Sequence, residues 1–202
     1  MPFEFAKGEV ENSGVYVRFV DILFAVVLGQ SFVLLTPKYG MWFSDWASYI
    51  APIATTLLVY GLVITSWVGY HRSVKAYPIL EPYRFILDIS LLFIYYAGIA
   101  SVEDFRLEAL LFICVFVVYA LWDLTRLGEY WRRLAASRDE RKDLIRRAMV
   151  SAGFATAFGV LWYVYSFAFP QAFTAGALFV GMLILLVVYR YTKWEYKTKA
   201  IA

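Results

Sequence analysis

The chain has 202 residues, of which 62% are hydrophobic and 20% aromatic, and only 17% are charged. Soluble domains carry about a quarter charged residues, so this composition, with a mean hydropathy of +0.63, points to a membrane protein. One Cys and one His exclude an intrachain disulfide, a Cys-x-x-Cys redox pair, a bis-histidine haem site and a zinc cage.

About 20 apolar residues cross the hydrocarbon core as a helix. Six stretches meet that criterion, and they predict an all-α, polytopic bundle of six transmembrane helices in a single domain over residues 1–202. They run from Tyr16 to Leu35, Tyr49 to Tyr70, Arg84 to Ala100, Leu107 to Leu124, Ala148 to Phe169 and Gln171 to Tyr191. Acidic Glu4, Glu9 and Glu11 precede the first run and no small-residue cleavage site follows it, so the first span is expected to be retained. Pro37, Pro78, Pro82 and Pro170 are expected between spans, where a missing N–H costs least.

The basic residues give an orientation. Of the 19 Lys and Arg, all but Lys38 and Arg106 fall at the chain ends or in the second and fourth connections. Cytoplasmic segments retain positive charge, so a multi-pass protein of the cell membrane is expected, with both termini and the 125–147 loop cytoplasmic. The stretch from Arg132 to Arg147 interleaves Asp139, Glu140 and Asp143. It reads as retained charge, or as a grip on anionic lipid or an acidic partner. Asp143 and Arg147, four apart, suit a solvated helical extension.

Every Lys lies outside the spans, so no buried Schiff base is available. No His-Glu-x-x-His, Gly-x-Ser-x-Gly or phosphate-binding glycine loop occurs, and no enzyme activity, cofactor, metal site or nucleic-acid partner is expected. Val68-Gly69-Tyr70 matches part of a potassium selectivity filter. It ends a continuous apolar span, however, whereas such a filter needs a re-entrant loop, so it is read as coincidence.

The ionisable residues of the spans gather at one depth, near the cytoplasmic side: Arg18 and Asp21, His71 and Arg72, Arg84 and Asp88, Asp123 and Arg126. Intramembrane charges face the bundle interior or water. The group reads either as interhelical pairs that fix helix order or as a proton- or cation-handling site. On the first helix, Asp21, Ala25, Leu28 and Phe32 share one face at 100° per residue. Ile22, Val26, Gly29, Gln30 and Val33 share roughly the opposite one. Gln30 is the only strongly polar side chain in mid-helix, and its amide must meet protein or water. That face is either a pore or subunit contact, or simple helix packing with Gly29 allowing close approach.

Phe19-Val20-Asp21, then Phe24-Ala25-Val26, resembles the start of the lysosomal-type potassium channels, the transmembrane protein 175 family. Trp67-Val68-Gly69-Tyr70-His71-Arg72 is similar to the Trp-x-x-His-His segment ending that family's second helix, and Asp88 falls near its asparagine. The match covers the first three helices. The chain departs from it at Val20 for serine, Val15 for arginine, Tyr70 for the first histidine, and Gly29-Gln30-Ser31 for Thr-Leu-Leu. The resemblance implies a tetrameric channel for a monovalent cation, without a carbonyl filter. It implies a pore lined by the first helix and constricted at Val26, and a polar network holding the helices together through Phe19, Asp21, Trp67 and His71. Two other functions remain open on the residues themselves: a proton-coupled transporter using Asp21, His71 and Asp88, and a non-transporting scaffold.

Overall fold

The structure is a computed structural model that describes residues 7–76, 78–79, 82–131, 138–164, 167 and 175–198. The described chain is all-helical. Its helices are α1 Lys7–Ser44, α2 Trp46–Ala76, α3 Pro82–Ala100, α4 Phe105–Tyr130, α5 Arg138–Tyr163 and α6 Ala175–Thr198. Five of them hold segments long and apolar enough to cross a membrane: Ser13–Trp42, Pro52–Val74, Pro82–Ala100, Arg106–Glu129 and Arg141–Tyr163. The chain is therefore a helical bundle of multi-pass membrane character.

Two expected boundaries are corrected. The first span does not stop at Leu35. It lies within a 38-residue helix, about 57 Å long at 1.5 Å per residue. Pro37 lies inside this helix and removes one backbone N–H from the ladder. The turn holds because Leu35 and Trp42 on either side are buried in the core, and tertiary packing outweighs the local penalty. Thr36 Oγ1 also donates to Phe32 O at 2.7 Å. Lys38 is accordingly helical rather than in a loop, and Asp45 alone separates α1 from α2. The 125–147 loop is likewise mostly helix. α4 runs on to Tyr130 and α5 starts at Arg138. Asp143 and Arg147 form the anticipated pair at 2.7 Å, and the Arg141 guanidinium lies 4.8 Å over the Trp131 ring.

Of the remaining prolines, Pro78 falls between α2 and α3. Pro82 does not, since it opens α3, where its missing N–H has no helical partner to lose. Pro170 and the junction of the expected fifth and sixth spans lie largely outside the described residues. Val68-Gly69-Tyr70 is ordinary helix within α2.

The helices close into a ring. α1 packs on α2 and α3, α3 on α4, α4 on α5, α5 on α6, and α6 back on α2, with α2–α3 and α4–α6 contacts across the middle. The core face of α1 is Val20, Phe24, Ser31 and Leu35, at the three- and four-residue steps of a helical stripe. The α4–α5–α6 side is aromatic. Phe116 stacks on Phe158 at 4.9 Å and meets Tyr189 edge-on at 4.6 Å. The link from α3 to α4 is a tight turn. Asp104 caps α4 by accepting from the N–H groups of Arg106 and Leu107, both at 3.1 Å, and satisfies two of its free donors. Lys38 pairs with Glu103 of this turn at 2.9 Å, which fixes the far part of α1 to the same end of the bundle.

Candidate functional site

At the other end, α1 and α2 meet through a polar triad. Asp21 Oδ1 accepts from Trp67 Nε1 at 2.9 Å and contacts His71 Nε2 at 2.8 Å. Trp67 and His71 sit one turn apart on α2, with ring centroids 4.9 Å apart and nearly perpendicular. One carboxylate oxygen thus reads two successive turns of the neighbouring helix. The triad is only half-buried: His71 and Asp21 keep 29% and 37% of their side-chain surface. Phe19 lies beside it and meets Phe85 of α3 edge-on at 5.4 Å. α1 is therefore held to α2 by hydrogen bonds and to α3 by rings. Arg18 and Arg72 are exposed at the same end.

Asp88 is placed elsewhere. It is buried, one turn from Arg84 on α3, and belongs to a second cluster that reaches into α4. The Arg84 guanidinium, fully buried, donates to Pro78 O at 3.1 Å, pairs with Glu129 of α4, and lies 4.4 Å over the Trp122 ring. Arg126 approaches the same ring at 5.2 Å. It donates to Ser73 Oγ at 2.6 Å and pairs with Asp123 at 3.4 Å. Asp123 in turn holds Lys193 of α6 at 2.7 Å and lies 3.5 Å from Ser151 Oγ of α5. This cluster ties α2 to α6 together, and its Arg84, Glu129, Asp123 and Arg126 side chains are almost fully buried, while Lys193 keeps 23% of its surface.

A third chain of polar groups crosses the middle. Arg190 Nη2 of α6 donates to Ser66 Oγ of α2 at 2.8 Å and to Leu62 O at 3.3 Å. Ser66 also meets the Tyr119 hydroxyl, which contacts Tyr95 Oη at 2.7 Å. Sequence reasoning missed Glu129, Arg190 and Lys193 as interior groups. Each is distant along the chain from its partner, and Glu129 and Lys193 sit toward helix ends, where a charge ordinarily faces water. The buried Arg84 was the available signal, because a guanidinium in a dry interior needs an acidic partner.

The expected pore face is presented outward. Ile22, Val26 and Val33 are 62%, 51% and 67% exposed, and Gly29 and Gln30 are exposed between them. Gln30 makes no side-chain hydrogen bond among the described residues. Its neighbour Ser31, facing inward, contacts Tyr60 Oη at 2.6 Å and donates to Leu28 O. Among the described residues no three of His, Cys, Asp and Glu converge as a metal site. No protein-family model, curated protein or solved structure matches the chain.

Proposed function

We propose that the chain is one subunit of a passive, potassium-like cation channel, and that several copies surround a pore lined by α1. The observation that carries this reading is the outward Ile22–Val26–Gly29–Gln30–Val33 stripe. An unsatisfied amide facing lipid is costly, so the exposed Gln30 calls for water or another copy of the chain. Val26, one turn before Gln30, supplies an apolar constriction that gates by dewetting. The Asp21–Trp67–His71 triad orients α1 by fixing one flank of it to α2, the role that the resemblance to the transmembrane protein 175 family implies for those residues. That resemblance also suggests a tetramer. In this reading α6 is a sixth span, and the strong bias of Lys and Arg toward one end puts both termini and the α4–α5 link in the cytoplasm.

The test is ion flux in proteoliposomes under an applied potential. Val26→Ala is expected to raise conductance by widening the constriction, and Gln30→Leu to lower it. A purified protein that is monomeric and passes no cation at any voltage overturns the reading.

The 2.8 Å contact between Asp21 and His71 favours a second reading, a proton-coupled transporter, because it sets a carboxylate and an imidazole within hydrogen-bond reach of each other. Flux driven by a pH gradient and abolished in His71→Gln would select it. Flux indifferent to the gradient would exclude it.

A further inference from the structure

The end of the bundle opposite the charged clusters holds one acidic side chain that the channel reading does not use. Glu108 stands in the first turn of α4 and has no exposed surface. Neither of its carboxyl oxygens has a hydrogen-bond partner among the described residues. Its surroundings are small and apolar. A Cβ built on Gly98 would lie 3.9 Å from each Glu108 oxygen and 3.6 Å from Val59 Cγ1. The carboxyl therefore sits in a notch against the Gly98 backbone of α3, and Val59 of α2 borders it. Thr55, one turn before Val59, is also buried, with an unpartnered hydroxyl.

The charged groups at this end are otherwise engaged or turned away. Lys38 and Glu103 pair with each other. The Asp104 side chain accepts the free N–H groups of Arg106 and Leu107, so the start of α4 does not offer them to Glu108. Arg106 is exposed, and no charged side chain among the described residues acts on the Glu108 carboxyl. A bare carboxylate in such a place has neither water nor counter-charge. A dehydrated metal cation needs a ring of oxygens to replace its hydration shell, and among the described residues no three of His, Cys, Asp and Glu converge around Glu108. A proton needs one oxygen and leaves the group neutral, with an O–H to donate.

We propose that Glu108 is a proton-binding site, its carboxyl holding an exchangeable proton in the Gly98 notch between α2, α3 and α4. Binding is the addition of one proton to one carboxylate oxygen, and release is its return to water at the α3–α4 turn. The site stands apart from the Asp21–His71 pair and does not depend on conduction.

Dicyclohexylcarbodiimide tests it. The reagent partitions into hydrocarbon and adds to a protonated carboxyl, not to a carboxylate. The full chain in phosphatidylcholine vesicles would be labelled, digested and read by mass spectrometry. Glu108 is expected to carry at least about tenfold more adduct than the exposed Glu103 or Asp104, since only the buried carboxyl keeps its proton. The adduct should fall as pH rises and stay constant when potassium is exchanged for sodium at fixed pH. An infrared band of a protonated carboxyl that shifts in deuterated water and is missing in Glu108→Gln gives a readout that needs no entry of reagent. Absence of that band overturns the proposal. Suppression of labelling by potassium or sodium at fixed pH also overturns it, making the notch a metal-cation site. A chain that labels without conducting leaves this proposal intact and removes only the channel reading.

Discussion

Two polar assemblies share one end of the bundle and differ in almost every physical respect. The Asp21–Trp67–His71 triad joins two helices and keeps about a third of its acid–base pair in solvent. The Arg84–Glu129 pair is fully buried, and the cluster around it joins five helices through Trp122, Arg126, Asp123 and Lys193. A buried ion pair offsets its own desolvation at best, but losing one partner leaves a charge that nothing answers. A half-open pair can exchange either partner for water. The closed cluster is thus suited to hold α2–α6 as a fixed frame, and the open triad to hold α1 adjustably against that frame.

The largest effect should come from breaking the closed cluster. Glu129→Ala removes the acidic partner of the Arg84 guanidinium on α4 and is expected to cost about 3–5 kcal/mol, lowering the unfolding midpoint in detergent by on the order of 10 °C. Tryptophan fluorescence would follow it. Converting both partners together to Met and Leu should recover most of that loss, because no orphaned charge remains. A smaller effect is expected in the open triad. Asp21→Asn keeps the shape and loses the charge, at about 0.5–1.5 kcal/mol, and its signature should be altered flux rather than lost fold. If Asp21→Asn destabilises as much as Glu129→Ala, the distinction between frame and adjustable helix collapses. The smallest effect belongs to Lys38→Ala. Its pair with Glu103 joins two partly exposed side chains, and such pairs contribute roughly 0–1 kcal/mol. A larger change in midpoint would show that this tie fixes the far part of α1 more firmly than its exposure suggests.

The triad was legible in the sequence because its members are marked locally. Trp67 and His71 are four apart on one apolar span, and Asp21 is an acid in another, so each demands a partner at the same depth. The helix count followed from apolar length alone. The extent of α1 was not legible, because Pro37 and Lys38 carry the marks of a loop and only the burial of Leu35 and Trp42 overrides them. Asp88 was grouped with Asp21 by depth, but depth does not say which way a helix turns. The rotation of α3 buries Asp88 instead, one turn from Arg84. Glu108 gave no signal, since an acid in the first turn of a helix ordinarily complements the dipole at the surface. Its burial depends on Gly98, which lies on another helix.

The bond from Arg190 to Ser66 joins residues 124 apart in the chain and has a consequence for biogenesis. Helices enter the membrane in order as the ribosome delivers them, so α2 waits with Ser66 and the Leu62 carbonyl uncapped by α6 until that helix arrives. A nascent chain cut short before α6 lacks the guanidinium that completes this polar spine. It also leaves Asp123 without the ammonium of Lys193. Docking of α6 thus brings a guanidinium and an ammonium into the bundle together.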